Sequence, residues 1–203
     1  MEKRQDLRVV KTREAIKNAF VQLIEEKGFE SMTIKDITKK ARINRGTFYA
    51  HYQDKYHCMS SYVSELLEGI IDIAKRHDPI QGTADFGNVS LPIATDIFHY
   101  LYRNRDLLKA LLSPKGAPYF QSKLKQTMWE LLYEKTATSL VNLEQMPMPV
   151  RPEFLASYIS GAHLSVIQTW LDHGCKETPE EMAKVLSLLT VKGPLHAAGL
   201  LRH

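Results

Sequence analysis

Between Arg45 and Lys55 the sequence reads RGTFYAHYQDK, which places a guanidinium, two phenols, an imidazole and an ammonium close together. Arginine can donate paired hydrogen bonds to guanine, and threonine can offer a methyl or hydroxyl group to a base edge. Tyrosine, histidine and lysine suit phosphate oxygens, which accept roughly half to two-thirds of protein–DNA hydrogen bonds. The residue types in this segment therefore predict contact with a polyanion.

Predicted helices precede this segment and would hold it in place. Apolar residues recur at helical spacing within residues 12–27, namely Ala15, Ile16, Ala19, Phe20, Leu23 and Ile24. Gly28 supplies the left-handed residue that ends such helices. In the following SMTIKDITKKA, Thr33 and Asp36 resemble a capping box, so a second helix is expected there.

The helix that carries the polar segment is predicted to be short. Asn44 is a good N-cap for a helix over residues 45–52, which has about two turns and is too short to be stable alone. Phe48 is the obvious anchor for this helix. Because a tight turn joins it to the preceding helix, the three helices predict a helix-turn-helix.

With Phe48 used for packing, the outward side chains of this helix are Arg45, Gly46, Thr47, Tyr49 and His51. A recognition helix places its N-terminal residues at base edges in the major groove. Gly46 would let the backbone approach DNA closely. Thr33 and Lys55 each begin a helix, where free backbone N–H groups favour phosphate. Individually, Tyr49 packing against its own domain and Lys55 at a solvated helix start remain alternatives.

The distribution of charge agrees with a polyanion partner. Residues 1–55 contain 13 Lys and Arg against 8 Asp and Glu, whereas residues 56–203 contain 14 against 15. The whole basic excess therefore lies in the first quarter of the chain. Such asymmetry suggests a polyanion-binding head on a neutral body, although a solvated basic face would look the same.

Residues 11–58 resemble the DNA-binding domain of the TetR family of bacterial transcriptional repressors. The match consists of an amphipathic first helix, GFESMT as the G-[FY]-x-x-x-T motif, and GTFYAHYQDK as the G-T-[LF]-Y-x-H-[FY]-x-x-K box. Tyr52 stands where the family usually has Phe, and we expect it in the core with its hydroxyl at the edge. The resemblance implies DNA contacts by Thr33, Asn44, Arg45, Thr47, Tyr49, His51 and Lys55.

The rest of the chain predicts a larger helical domain. Helices are expected from about 55 to 77, 90 to 102, 105 to 112, 118 to 143, 153 to 173 and 178 to 191, with the break at DPIQGTADFGN. This gives an all-α protein of about nine helices. Residues 1–54 would form the helix-turn-helix domain, and residues 55–203 an effector-binding and dimerisation domain.

The last two predicted helices are the candidates for a homodimer interface. The helix at 153–173 is apolar nearly all round, so it needs cover on every side. A central helix of one protomer's core is the alternative. The predicted interface residues are Tyr158, Gly161, Ser165, Ile167, Met182, Val185 and Leu189.

Aromatic residues and methionines of the body predict an effector pocket for a largely apolar or aromatic small molecule. The predicted lining is Met59, Tyr62, Leu66, Phe98, Tyr102, Met128, Trp129 and His163. Ordinary core packing is the alternative for each of them. By resemblance to the family, such a molecule would release the protein from a palindromic operator.

Other classes of function have little support in the sequence. GxSxG, a Gly-rich phosphate loop and HExxH are absent, and Cys58 and Cys175 lack metal-ligand spacing. No enzyme activity, metal or cofactor is therefore predicted. No apolar run reaches the roughly 18 residues of a membrane span, and the charged start does not resemble a secretory signal, so a cytoplasmic location is expected.

The sequence thus predicts a homodimeric, ligand-responsive transcriptional regulator, a repressor that binds double-stranded DNA. Three alternatives remain: a DNA-binding coactivator controlled by a protein partner, a constitutive architectural DNA binder, and an enzyme with scattered active-site residues.

Overall fold

The structure is a computed structural model that describes residues 7–77, 86–116, 119–120, 122–124, 126–127 and 150–198. These residues form nine helices and no strand, which confirms the all-α prediction. The helices are α1 (Leu7–Lys27), α2 (Ile34–Ala41), α3 (Arg45–Tyr49), α4 (Lys55–Arg76), α5 (Phe86–Arg103), α6 (Arg105–Leu112), α7 (Pro152–Asp172), α8 (Pro179–Val191) and α9 (Pro194–Ala197). Most of the predicted helix at 118–143 lies outside the described residues.

The chain divides into two compact units. Unit 1 comprises Met1–Leu66 and Asp106–Gln121, and unit 2 comprises Leu67–Arg105 and Ser122–His203. Unit 1 therefore contains α1 to α3, the first half of α4 and most of α6. The functional boundary after residue 54 stays a prediction.

Local sequence signals account for most helix ends. Capping boxes begin α2 at Thr33 and α8 at Thr178, because in each the threonine hydroxyl and an acidic side chain three residues later bond each other's backbone N–H. Gly28 and Gly174 have φ of 81° and 78° after α1 and α7, and the sequence predicted this left-handed end for Gly28.

Three helix bounds differ from the sequence-based prediction. α1 begins at Leu7 rather than residue 12, so it extends beyond its amphipathic part. α3 ends at Tyr49 rather than residue 52, because the chain tightens there to a bond from the His51 N–H to Phe48 O, three residues apart. α5 begins at Phe86 and keeps Pro92 in its interior, which leaves one turn without its usual backbone donor.

Aromatic rings form the centre of unit 1. The ring of Phe20 lies 6.0 Å from that of Phe29 and 5.5 Å from that of Tyr62, in tilted and edge-to-face arrangements. Phe48 is completely buried and packs against Tyr52 at 5.7 Å between ring centroids. Phe48 is therefore the anchor of α3 that the sequence predicted.

Unit 2 is organised around α5, which packs along α8. Phe98 of α5 meets Trp170 of α7 edge to face at 5.4 Å between centroids. At the surface, His99 of α5 pairs with Glu180 of α8 at 2.7 Å. None of the helices within the described residues is both long and apolar enough to cross a membrane.

Candidate nucleic-acid interface

The start of α2 is locked by its own side chains. Thr33 donates from its backbone N–H and from its hydroxyl to Asp36 Oδ2, at 2.9 and 2.7 Å, and its Oγ1 accepts the Asp36 N–H at 3.2 Å. Lys27 adds an ion pair to Asp36 at 3.1 Å. These bonds from Thr33, together with Lys27, lower the pKa of Asp36 to about 2. The Thr33 side chain is exposed, so its predicted DNA contact would be made alongside this cap.

The start of α3 is held by the predicted N-cap. Asn44 Oδ1 accepts the Thr47 backbone N–H at 2.7 Å and the Thr47 hydroxyl at 2.9 Å. The backbone N–H and the hydroxyl of Thr47 are therefore both bonded to Asn44, and the methyl group of Thr47 remains for contact with a base. The predicted DNA contact by Asn44 would have to share the oxygen with this cap or use the amide nitrogen.

Beyond this cap, α3 presents polar groups to solvent. Arg45 and Gly46 are exposed, Tyr49 is 50% exposed and His51 is partly exposed. A Cβ at Gly46 would meet only Asn44 Oδ1 within 4 Å, at 3.4 Å, so the fold itself leaves room for a side chain there. The structure thus brings together on one surface the side chains that the sequence placed outward.

Tyr52 differs in part from its predicted place. It is buried as expected, but its hydroxyl lies inside the unit, 3.4 Å from the Tyr62 hydroxyl. A hydrogen bond with Tyr52 raises the pKa of Arg13, whose guanidinium also pairs with Glu65. Burial raises the pKa of the neighbouring Cys58 thiol to about 12, so that this thiol is protonated and unreactive.

The start of α4 is arranged differently from a phosphate-binding helix end. Asp54 Oδ1 accepts the His57 backbone N–H at 2.7 Å, which places a carboxylate where a phosphate was expected. The Lys55 ammonium donates to the backbone carbonyls of Phe29 and Glu30, at 3.0 and 2.7 Å. Lys55 is therefore neither a solvated helix start nor, in this conformation, directed towards a ligand.

Arg42 is a functional candidate that the sequence reasoning missed. It is an exposed cation in the turn between α2 and α3, three residues before Arg45. Its backbone φ of 55° is left-handed, a conformation that residues other than Gly, Asn and Asp rarely adopt. A basic residue at the C-cap position of α2, where glycine is the common choice, was the available signal.

The residues predicted to line an effector pocket pack within their own units. In unit 1, Met59, Tyr62 and Leu66 are buried. In unit 2, Phe98 and Tyr102 contact the ring of Trp170, and His163 Nε2 lies 2.9 Å from Thr190 Oγ1. Burial lowers the pKa of His163. Met128 and Trp129 lie outside the described residues, so the pocket stays a prediction.

The residues predicted for the dimer interface fall into two groups. Tyr158 is 60% exposed, and Val185 and Ser165 are also exposed, while Gly161 and Leu189 are partly exposed. Ile167 is only 7% exposed and Met182 is equally covered, both within unit 2. Ile167 and Met182 therefore offer little surface to a partner, whereas Tyr158 and Val185 offer much more.

Three packed helices, with a tight turn before an exposed and capped third helix, define a helix-turn-helix protein. A family model described as bacterial regulatory proteins of the tetR family matches residues 16–61. A second, described as the transcriptional regulator C-terminal region, matches residues 89–192, about half of the chain. The chain belongs to the TetR family of bacterial transcriptional regulators.

Individual relatives are distant. The chain is similar to YxbF, an uncharacterized HTH-type transcriptional regulator of Bacillus subtilis (strain 168), with 29% identity over 194 residues. That match covers 94% of this chain but 48% of YxbF, so the chain spans about half the length of this curated relative.

Solved structures share the fold. The fatty acid degradation regulator FadR from Bacillus halodurans has a TM-score of 0.64 and 18% identity, covering 94% of this chain and 98% of that one. FadR from Bacillus subtilis, in complex with stearoyl-CoA, has a TM-score of 0.58 and 17% identity. That match covers 89% of this chain and 98% of the FadR chain.

Proposed function

We propose that this protein is a ligand-responsive transcriptional regulator, most simply a repressor, which binds a palindromic operator as a homodimer. The observation that carries the proposal is the α3 surface. Phe48 is completely buried beneath α3, while Arg45, Gly46 and Tyr49 are exposed on the other side. A helix anchored in this way can enter the major groove with its N-terminal residues at base edges.

The proposed DNA contacts keep the predicted set except Lys55, and they add Arg42. Arg45 and Thr47 would contact base edges, and Thr33, Asn44, Tyr49 and His51 would contact bases or phosphates. The exposed Arg42 joins this set as a phosphate contact. Lys55 is assigned a different role below.

A palindromic operator requires a DNA-binding protein with two-fold symmetry. The exposed apolar surface of α7 and α8 supports such a homodimer. Phe154, Tyr158, Val185, Leu188 and Val191 are all exposed in the single chain. Covering such side chains with the same surface of a second copy would remove them from water. The two α3 helices would then meet half-sites ~34–36 Å apart.

The proposed effector is an apolar molecule with a polar or charged end. The FadR structure from Bacillus subtilis that shares this fold is a complex with stearoyl-CoA, and long acyl chains fit the apolar character predicted for the body. Effector and DNA would favour different states of the protein. By linkage, DNA must then weaken effector binding by the same factor by which the effector weakens DNA binding.

The proposal is tested by selecting bound duplexes from a random pool and measuring affinity against salt concentration. We expect Arg45→Ala to lose about 1–3 kcal/mol of discrimination at one base position. Arg45→Lys is the matched control, because it keeps the charge but not the paired hydrogen bonds. The proposed function fails if the unmodified protein shows no salt-sensitive binding to any duplex.

The effector is sought by adding acyl-CoA thioesters of different chain lengths to the protein–operator complex. Release of DNA by long-chain but not short-chain thioesters supports an apolar effector. If neither these nor a broader set of metabolites shifts operator affinity or Tm, control by a protein partner replaces control by a small molecule.

A further inference from the structure

The turn between α1 and α2, residues 28–32, is held by two lysines that come from distant parts of unit 1. This turn has no regular structure of its own, yet Phe29 and Met32 within it are almost completely buried. Gly28 at its start has φ of 81°, which a side chain would disfavour. Thr33, the N-cap of α2, follows the turn directly, so the position of the turn determines where the helix-turn-helix begins.

Lys55 holds this turn from the start of α4. Its ammonium donates to Phe29 O and Glu30 O and lies 4.9 Å from the centroid of the Phe29 ring and 5.2 Å from that of the Tyr56 ring. Two of the three donors are thus used by carbonyls that have no helical partner. Moving the ammonium to a phosphate would break both hydrogen bonds and leave the partly buried carbonyl of Phe29 with only the longer bond from the Met32 N–H, at 3.3 Å.

Lys115 holds the same turn from the segment that follows α6. Its backbone carbonyl accepts the Phe29 N–H at 2.9 Å, and its ammonium donates to Glu25 O near the end of α1, also at 2.9 Å. A Cβ at Gly28 would come within 3.5 Å of the same carbonyl oxygen. Both polar groups of the Phe29 backbone are therefore bonded to one or other of these lysines.

We infer that Lys55 and Lys115 are positioning residues that clamp the α1–α2 turn, so that Lys55 contributes to DNA affinity without its ammonium contacting DNA. This inference rests on the proposed DNA-binding function. Asp54 supports it, because its carboxylate caps the first turn of α4 and would repel a phosphate there. Removing the Lys55 ammonium should therefore change stability and operator affinity without changing the salt dependence, whereas loss of a phosphate contact would change the salt dependence.

The test compares Lys55→Met, Lys55→Arg and Lys115→Met with Lys109→Met, a control that removes an exposed lysine of α6 in the same unit. Methionine keeps the apolar stem against the two rings and removes the ammonium. Operator affinity is measured well below the Tm, where every variant is folded, at several salt concentrations. Exchange of the Phe29 amide hydrogen is measured by NMR, because this readout needs no DNA.

For Lys55→Met we expect a Tm lower by about 4–8 °C and faster exchange of the Phe29 amide. Affinity should fall roughly tenfold for all duplexes, the change that corresponds to one charge-assisted hydrogen bond. The slope of log K against log[salt] should be unchanged, and Lys55→Arg should restore affinity because a guanidinium can bond both carbonyls. Lys115→Met should show a smaller loss of the same kind, and Lys109→Met none.

Three results overturn the inference. A salt slope shallower by about 0.9 in Lys55→Met, with Tm and Phe29 exchange unchanged, would make Lys55 a phosphate contact. A lower Tm with unchanged affinity would make its role structural only. An unaffected Lys115→Met would remove the Lys115 ammonium from the clamp, because the variant keeps the backbone carbonyl that accepts the Phe29 N–H. If the unmodified protein binds no duplex, the proposed function fails, and exchange of the Phe29 amide still decides whether the clamp exists.

Discussion

Unit 1 and unit 2 expose opposite chemistry. Around α3 of unit 1, the exposed side chains are cations and hydrogen-bonding groups such as Arg42, Arg45 and Tyr49, with the apolar Phe48 fully buried. On α7 and α8 of unit 2, the exposed side chains include Phe154 at 63% and Tyr158 at 60%. A polar surface is stable in water by itself, whereas a large exposed apolar surface marks an interaction site. The first surface fits the proposed contact with DNA, and the second fits the proposed contact with another copy of the chain.

The two units nevertheless use the same local rules. Thr33 with Asp36 and Thr178 with Glu181 form equivalent capping boxes at the starts of α2 and α8. The difference between the units therefore arises from which side of each helix is covered, not from how the helices begin. Four predictions follow this contrast, in order of decreasing expected effect.

Removing the anchor of α3 should have the largest effect. Phe48→Ala leaves a cavity beneath the helix, and we expect a loss of about 3–5 kcal/mol in the free energy of unfolding and of operator binding. Self-association through unit 2 should survive. The measurements are calorimetry, fluorescence anisotropy with operator DNA, and light scattering. Lys109→Met, which leaves α3 and its anchor intact, is the control. Unchanged DNA binding in Phe48→Ala would contradict the assignment of α3.

Charging the exposed surface of α7 should prevent dimerisation without unfolding the protomer. Tyr158→Glu would place a carboxylate in an apolar interface, and we expect the dimer Kd to rise by at least ~100-fold, with operator affinity lost in parallel. Sedimentation measures assembly, and circular dichroism measures the fold. Ile167→Glu serves as the contrast, because Ile167 is already buried in the chain and its charge should unfold unit 2. An unmodified protein that is monomeric at micromolar concentration rules out this interface.

Arg42→Gly should raise the stability of the protein while weakening its binding to DNA. Glycine adopts the left-handed backbone of residue 42 without strain, so the free energy of unfolding should increase by about 1 kcal/mol. If Arg42 contacts a phosphate, the salt slope of DNA binding should become shallower by about 0.9. Arg42→Lys keeps the charge and the strain, and it should change neither quantity. A variant that binds DNA with unaltered slope removes Arg42 from the interface.

The smallest effect is expected from the α2 cap, and it depends on pH. The pKa of Asp36 is about 2 in the folded protein, below its ordinary value of 3.8. The ionised carboxylate therefore stabilises the folded state above about pH 4, and this contribution is lost as the pH falls through about 2. Asp36→Asn should flatten the dependence of Tm on pH within this window. Because the Asp36 side chain is only partly buried and its bonds lie at the protein surface, the difference should be small, and Glu30→Gln is a control nearby.

Much of the helix-turn-helix could be predicted from the sequence. The N-caps Thr33 and Asn44, the anchor Phe48 and the outward Arg45 and Tyr49 were all placed correctly. Each of them depends on the helical period or on a bond between residues three or four apart. The pairings of His99 with Glu180 and of His163 with Thr190 were not predictable, since each joins residues of different helices, beyond the reach of local sequence rules.

The sequence by itself determined the helices, their caps and the polar character of α3, because these follow from interactions within one or two helical turns. Only the tertiary structure decided that Ile167 is covered while Tyr158 is exposed, since both lie on one helix that is apolar nearly all round. It also decided the place of the Lys55 ammonium. A long, flexible side chain binds whichever acceptors the fold brings within reach, and those acceptors belong to a turn about 25 residues earlier in the chain.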